Sequence, residues 1–356
     1  MRKSTRENCR GRQHHQHATP NPRNTHTSKN ISLVLLAGLL ATTASAAEPA
    51  PGAQAQEPAS LRHRFLAMDE GRGILHYVDQ RNPAKDWHLK LPKQIRDFQP
   101  IGQGRVLIAQ SFGYSVYELA TRTLVEDVKV SGLSGCLSAR RRMDGTTVLG
   151  AGQKVIELDR TNAVRRTMTF ANIKMLRMIR PTADGTVLLG EETGVTEAAF
   201  DADAPNGGRV VRHIPLPRGK YVFMALKKSD GGYLFSGGYA RTLFDLGPDG
   251  AIRREYALKD PPPTGAGPFF FAGFQVLKNG NFVVCNWTGH GPADSAKGWQ
   301  ILEFAPDRSL VWHWHDPTTA GTLVNIAVLD DLDENTFFDD STGILTDGLK
   351  NGRPPR

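Results

Sequence analysis

The sequence contains few cysteines, no long apolar run and no clear helical periodicity. Three cysteines in 356 residues exclude the disulfide-stapled scaffold of small secreted domains. The longest apolar run, residues 31–40, is far shorter than the roughly 20 residues that a membrane-spanning helix needs. Apolar residues elsewhere occur in short β-type runs between Gly, Asp and Asn. The chain therefore reads as a large all-β protein with no membrane span in its mature form.

The first 46 residues have the organisation of a secretory leader. Residues 1–30 are polar and basic, residues 31–40 are apolar, and Ala44, Ser45 and Ala46 form a small-x-small cleavage site. This order is typical of a signal peptide. We predict cleavage before Ala47, a flexible linker over residues 47–62, and a mature chain that is periplasmic or secreted. An uncleaved membrane anchor is the alternative.

Without this leader the excess of positive charge almost disappears. The whole chain has 44 Lys and Arg against 36 Asp and Glu, and the leader takes seven of the former and one of the latter, which leaves 37 against 35. A net charge of +2 with no clustered basic stripe does not favour nucleic-acid binding. We therefore predict no nucleic-acid partner.

Tight-turn signals recur along the chain at a nearly constant spacing. They stand between two apolar runs at Gln103-Gly104, Asp144-Gly145, Asp184-Gly185, Asp230-Gly231 and Asn279-Gly280. Such dipeptides suit the positive φ angles of a hairpin turn. The glycines are 41, 40, 46 and 49 residues apart, which is the length of one four-stranded propeller blade, about 40 to 50 residues.

The repeats predict a β-propeller whose ring is closed by strands from both ends of the chain. Five full blades extend from about residue 95 to residue 317, and a sixth combines three N-terminal strands with LVNIAVLDD near the C-terminus. This closure removes the free sheet edges of an open array. We predict six blades over residues 63–333, with seven as the alternative if the tail from residue 334 adds strands. Residues 334–356 are predicted to be a partly disordered tail.

Three segments within the blades share one strand–turn–strand residue pattern: IELDRTNAVRR, FDLGPDGAIRR and LEFAPDRSLVWHW. This pattern resembles the repeats of bacterial PQQ-like and arylsulfotransferase-like β-propellers, and the resemblance implies the fold. The tryptophan-docking pattern of quinoprotein dehydrogenases is missing except at Trp312. We therefore predict no cofactor, and in particular no pyrroloquinoline quinone.

Strand order in a propeller decides which loops can form a site. The loops between the second and third strands of each blade share one face with the connections between blades, and the tight turns lie on the opposite face. We call these the loop face and the turn face. The longest loop of the loop face is NWTGHGPADSAKGWQ, residues 286–300. A binding site is therefore expected on the loop face.

Cationic and aromatic residues from different blades are predicted to meet on the loop face. The candidate ligand-binding residues are Arg96, Tyr114, Arg177, Arg241, Asn286, Trp287 and Lys297. Forked Arg contacts suit a carboxylate or sulfate, and a concave mouth focuses the electric field on an anion. The alternative is that these are ordinary loop charges neutralised by nearby acids.

Two residues are candidates for proton or group transfer if the protein is an enzyme. His290 stands between glycines in the longest loop, and Tyr239 lies in the corresponding loop of the preceding blade. Either side chain could reach a ligand as a general acid or base. No metal site is predicted. The sequence thus favours a propeller that binds a small anionic or carbohydrate-like ligand, with a polysaccharide lyase or arylsulfotransferase-like enzyme and a protein-interaction scaffold as alternatives.

Overall fold

A computed structural model of the chain describes residues 61–92, 95–330 and 332–341. The predicted leader, almost all of the linker and residues 342–356 lie outside these ranges. The described part forms six four-stranded antiparallel sheets, which are the blades of a six-bladed β-propeller. The predicted fold and number of blades are confirmed.

The strands follow one another from the channel outward in every blade except the first, which takes its innermost strand from the C-terminal end. The first three blades use β1 (Arg64–Asp69), β2 (Ile74–Asp79), β3 (Trp87–Lys90), β4 (Phe98–Pro100), β5 (Arg105–Gln110), β6 (Gly113–Glu118), β7 (Leu124–Lys129), β8 (Cys136–Arg141), β9 (Thr147–Ala151), β10 (Lys154–Leu158) and β11 (Val164–Thr169). The last three use β12 (Ile179–Pro181), β13 (Val187–Gly190), β14 (Gly194–Phe200), β15 (Gly208–Pro215), β16 (Ala225–Lys227), β17 (Tyr233–Ser236), β18 (Leu243–Leu246), β19 (Ile252–Tyr256), β20 (Phe270–Val276), β21 (Phe282–Trp287), β22 (Ile301–Phe304) and β23 (Leu310–Trp314), and β24 (Leu323–Val328) completes the first blade. Short 3₁₀ helices cover Pro83–Lys85 and Pro292–Lys297.

The ring is closed by antiparallel pairing of β24 with β1. Phe65 pairs with Val328 and Met68 with Asn325, and the sheet order is β24-β1-β2-β3. The predicted closure by both ends of the chain is confirmed. Because an unpaired strand edge invites aggregation, this joint also protects the inner edge of β1, which is the second strand of the first blade.

The predicted tight turns join the first and second strands of their blades. Gly145, Gly185, Gly231 and Gly280 each donate a backbone hydrogen bond to the residue three positions earlier, at 2.9 to 3.1 Å. All four have φ between 78° and 85°, a region that costs glycine little. The spacing of 46 residues reflects the long strands β14 and β15 and the turn of residues 201–207 between them, and the spacing of 49 reflects the long connection between blades at residues 257–269.

The hydrophobic core lies between neighbouring blades. Phe65 on β1, for example, contacts the rings of Trp312 and Trp314 on β23 edge to face. Cys136 and Cys285 are buried free thiols in different blades. Burial raises the pKa of Cys136 to about 12, so this thiol is not nucleophilic at neutral pH.

The first residues of the predicted tail pack on the turn face. The amide nitrogens of Gly102 and Gln103 donate to the carbonyls of Phe337 and Asn335 at 2.8 and 2.6 Å, and the amide of Asp339 donates to Pro100 at 2.9 Å. Phe337 is buried. Residues 334–341, the first part of the predicted tail, therefore pack against the propeller, and the rest of the tail lies outside the described residues.

Charged side chains fill the channel near the turn face. The two terminal nitrogens of Arg180 donate to the two carboxylate oxygens of Asp97 at 3.0 and 3.1 Å. Arg140 lies 3.8 Å from Asp97 and forms a second ion pair with Asp339. Asn325 donates to Asp97 at 3.1 Å. Two guanidinium groups are thus matched by two carboxylates inside the ring.

Candidate functional site

The loop face carries an open pocket at the mouth of the channel. It is lined by Glu70, Arg96, Arg177, Phe223, Tyr239, Phe270, Trp287, His290 and Val324. These residues come from second-to-third strand loops, from connections between blades and from innermost strands. Residues more than 200 positions apart in sequence therefore share one site, and five of the nine predicted site residues are among them: Arg96, Arg177, Tyr239, Trp287 and His290.

An acid-base cluster occupies one side of the pocket. Arg96 binds one carboxylate oxygen of Glu70 through Nε at 2.8 Å and through its terminal nitrogen at 2.6 Å. The Nδ1 atom of His290 is 3.7 Å from the same oxygen. The Glu70 side chain is 7% exposed, whereas that of His290 is 73% exposed. The imidazole thus stands at the rim, free to meet a ligand, beside a carboxylate that is already paired.

Arg177 lies in the same pocket but has no carboxylate partner. Its guanidinium carbon is 4.3 Å from the centroid of the Tyr221 ring. Within the described ranges Arg177 forms no ion pair, and its Nε has no hydrogen-bond partner. Burial lowers the pKa of Arg177, and the positive charge of Arg96 lowers this pKa further. Arg177 is therefore a partly desolvated cation that faces another cation.

Aromatic rings form the opposite wall. Tyr239 packs edge to face on Phe270, with ring centroids 4.8 Å apart, and Trp287 packs on the same Phe270 ring at 5.5 Å. His290 contacts Trp287 with a centroid distance of 4.6 Å. Such edge-to-face packing holds the rings in place. The wall is thus a fixed apolar surface beside the charged groups.

Asn286 has a structural position behind this wall. It is fully buried, and its Oδ1 accepts from the amide of Phe269 at 2.8 Å while its Nδ2 donates to the carbonyl of Trp299 at 2.9 Å. These bonds tie the connection before β20 to the end of the longest loop. Asn286, predicted as a ligand-binding residue, thus lies behind the pocket, where its side chain positions Trp287 and Phe270.

Tyr114 does not lie in the loop face. It is the second residue of β6, is 0% exposed and packs between the second and third blades. Its hydroxyl is 3.1 Å from Glu126 and 2.6 Å from Arg141. The preceding loop has only two residues, so Tyr114 is already in the sheet, where its side chain points to the next blade. The structure therefore places Tyr114 apart from the pocket residues with which it was predicted to bind a ligand.

Arg241 and Lys297 belong to loops of the same face but do not line the pocket. Arg241 is exposed in the loop between β17 and β18. Lys297 ends the second 3₁₀ helix and lies 2.5 Å from Asp294. The hydrogen bond from Lys297 is the main reason why the pKa of Asp294 is lowered. In the described part of the chain both cations stand outside the cluster that Arg96 and Arg177 form.

Four pocket residues were not among the predicted site residues. Glu70 follows β1 in a four-residue loop, whereas Phe223, Phe270 and Val324 belong to apolar runs that read as core. Phe270 does pack in the core, but one edge of its ring also faces the pocket. Two signals would have identified these residues. Glu70 is an acidic residue in a loop of the loop face, and the apolar residues lie at or just before the loop-face ends of innermost strands.

The comparisons with known proteins support the fold alone. No family model matches the sequence, and no curated protein matches it. Among solved structures, a protein of unknown function from Bacteroides caccae is 21% identical with a TM-score of 0.60, over 75% of this chain and 99% of its own. A catalytically inactive histidine-to-alanine variant of virginiamycin B lyase from Staphylococcus aureus with quinupristin is 10% identical, TM-score 0.51, over 79% of this chain and 93% of its own.

A structure of a nidogen/laminin complex is also similar, at 9% identity and a TM-score of 0.54, over 76% of this chain and 100% of its own. These neighbours include a lyase and a protein that binds another protein, so their fold does not choose a function. The naming of the repeats as PQQ-like or arylsulfotransferase-like stays a resemblance. The described residues contain no helix long and apolar enough to cross a membrane. What the comparisons establish is that this chain is a β-propeller.

Proposed function

We propose that the loop-face pocket binds a small ligand that carries a carboxylate or sulfate group on a flat or sugar-like ring. The observation that supports this most directly is Arg177. A desolvated guanidinium with no carboxylate partner in the described structure, close to a second guanidinium, is unfavourable unless an anion joins them. An anionic ligand supplies the missing charge.

The geometry also favours a ring on the ligand. Tyr239, Phe270 and Trp287 present fixed apolar surfaces within the pocket. A sugar or aryl ring can stack against such a wall while its acidic group meets Arg177.

The proposal is tested by calorimetric titration of the protein with a panel of hexuronates, sulfated monosaccharides and aryl sulfates. At least one class is expected to bind, and Arg177→Gln is expected to weaken it by about 10-fold to 100-fold, since a hydrogen bond to a charged group contributes about 1.5–3 kcal/mol. Arg241→Gln is the matched control, because it removes an arginine of the same face that lies outside the pocket.

Equal losses of affinity in the two variants would show that general surface charge, and not the pocket, attracts the ligand. No binding by any class would remove the proposal altogether. Thermal melting of each variant checks that folding is intact.

The pair of His290 and Glu70 supports an enzyme as the second candidate. In a lyase acting on a uronate, an arginine neutralises the carboxylate, a base takes the α-proton, and the β carbon–oxygen bond breaks to leave an unsaturated product. His290 or Tyr239 can take this proton from the pocket rim. A sulfotransferase would instead use His290 as the nucleophile for the sulfuryl group.

Turnover distinguishes this candidate from simple binding. An enzyme produces unsaturated uronate absorbance or free aryl alcohol, and His290→Ala abolishes that rate while binding persists. Binding without turnover by the unmodified protein would assign the pocket to ligand recognition alone.

The location of the protein and its use as a scaffold are separate proposals. The leader-like first 46 residues support export to the periplasm or beyond, and N-terminal sequencing of the protein from a cell fraction tests it. A scaffold function would require a protein partner that is retained in pull-downs by pocket variants such as Arg177→Gln.

A further inference from the structure

A pair of histidines outside the loop-face pocket forms a second candidate site. His76 on β2 and His88 on β3 stand directly opposite each other in the antiparallel strand pair. Their Nδ1 atoms are 2.9 Å apart, and their ring planes make an angle of 74°. The two Nδ1 atoms therefore face each other within hydrogen-bond distance.

Asp69 determines which nitrogen of His76 carries a lone pair toward His88. The Oδ2 atom of Asp69 lies 3.1 Å from His76 Nε2. The carboxylate is fully buried and also accepts hydrogen bonds from the amides of Gly321 and Arg72 at 2.6 and 2.9 Å. Since a carboxylate only accepts, His76 carries its proton on Nε2, and its Nδ1 lone pair points to His88.

We propose that His76 and His88 bind a divalent first-row transition metal ion, such as zinc, through their Nδ1 atoms. Imidazole nitrogen is a preferred ligand of these ions, and a carboxylate behind the ligating histidine is the usual orienting partner. The site is independent of the proposed function of the loop-face pocket.

The geometry needs a small adjustment to accept the ion. Zinc–nitrogen distances of 2.0–2.1 Å in a tetrahedral site place two ligand nitrogens about 3.3 Å apart, which is about 0.4 Å more than the distance between the two Nδ1 atoms. His88 is exposed on the outermost strand, whereas His76 is buried. The exposed ring can move by this amount while the buried ring stays fixed.

The remaining ligands come from outside the pair. Among residues 61–92, 95–330 and 332–341, no group of three or more His, Cys, Asp and Glu is arranged to hold a metal. Asp69 is engaged by two backbone amides and by His76, so its function is to orient. The metal would therefore keep open positions for water or for an external ligand, as catalytic and transport sites do and closed structural sites do not.

The test is zinc-dependent thermal unfolding of the full chain after treatment with a chelator. Zinc is expected to raise the melting temperature of the wild-type propeller by roughly 2–4 °C at a free concentration about ten times the dissociation constant. His88→Ala is expected to lose this shift. His313→Ala is the matched control and should keep it, because His313 also lies on an outermost strand, in the last blade.

Melting is the chosen readout because the chain also has histidines at positions 14, 15, 17 and 26, which can bind zinc without stabilising the propeller. The same shift in His88→Ala as in wild type would overturn the proposal. His88→Gln, which keeps a polar side chain on the strand, is the second variant, and it should also lose the shift. Cobalt(II) absorption that differs between wild type and both His88 variants would confirm imidazole ligation.

Discussion

The two ends of the propeller channel differ in whether their arginines are paired with carboxylates. Near the turn face, Arg140 and Arg180 are buried and are matched by Asp97 and Asp339. At the loop face, Arg96 has Glu70, but Arg177 has no carboxylate among the described residues. In the first arrangement, carboxylates of the chain itself neutralise both arginines. In the second, the charge of Arg177 is left for a group outside the described residues to neutralise.

The comparison separates structural charges from candidate functional ones. A buried ion pair whose two partners both come from the chain stabilises when it is intact and is strongly destabilising when one partner is removed. A partly buried charge without a partner costs stability in the free protein and gives affinity in the complex. We therefore expect mutations at the two ends to differ in the sign of their effect on stability.

The largest effect is expected for Asp97→Asn at the turn-face end. The amide has the same shape but leaves Arg140 and Arg180 with insufficient negative charge, so the free energy of unfolding should fall by about 3–5 kcal/mol. Urea-induced unfolding measures this change. Asp201→Asn, at an exposed pair with Arg209, is the control, with a change below about 0.5 kcal/mol. A loss of the same small size at Asp97 would mean that the channel network does not stabilise the fold.

A second, smaller effect concerns His63, another matched cation near the turn face. His63 is buried with Glu303 and Asp330 each 2.7 Å from one of its ring nitrogens. Burial alone would lower the pKa of His63, but the hydrogen bonds with the two carboxylates outweigh it and raise the pKa to about 9. A raised histidine pKa means that protonation stabilises the folded state.

This stabilisation is complete below the unfolded-state pKa of about 6.5 and is lost as the pH rises through the folded-state value of about 9. We expect the free energy of unfolding to fall by about 3 kcal/mol between pH 6 and pH 10, at 1.36 kcal/mol for each unit of pKa shift. Urea unfolding across this range measures it, and His63→Gln should flatten the profile. A profile that is equally steep in His63→Gln would assign the pH dependence to other groups.

The smallest effect, with the opposite sign, is expected at Arg177. Arg177→Met removes a partly desolvated charge and keeps apolar contact with Tyr221, so the ligand-free protein should be unchanged or more stable, by about 0–2 kcal/mol. Thermal and urea unfolding measure this. Arg96→Met provides the contrast, because it breaks the pair with Glu70 and should destabilise. If Arg177→Met destabilises the protein as much as Arg96→Met does, both arginines stabilise the fold. The proposed difference between the two channel ends would then be wrong.

The sequence was sufficient for the repeats and the propeller fold, and it favoured six blades over the alternative of seven. Glycines at positions that require positive φ recur at blade spacing, so turn chemistry alone shows where each blade begins. The strand order then places residues 286–300 on the loop face. The convergence of Arg96, Arg177, Tyr239, Trp287 and His290 follows from this order, because loops of one face meet at the channel mouth.

The sequence was not sufficient for the side chains that need a partner from another blade. Tyr114 looked like a loop residue but lies in β6, since the loop before it has only two residues. His63 had no recognisable pattern, because Glu303 and Asp330 are 240 and 267 residues away. Asn286 lies in the right loop, but only the fold shows that its hydrogen bonds are satisfied by backbone groups.

Local backbone preferences and apolar alternation are properties of neighbouring residues, so the sequence by itself determined the all-β repeat, its closure and the position of its loops. Charge neutralisation depends on distances between atoms that are remote in sequence. Only the tertiary structure decided that Arg140 and Arg180 are matched, that Arg177 is not, and that His76 and His88 face each other in front of Asp69.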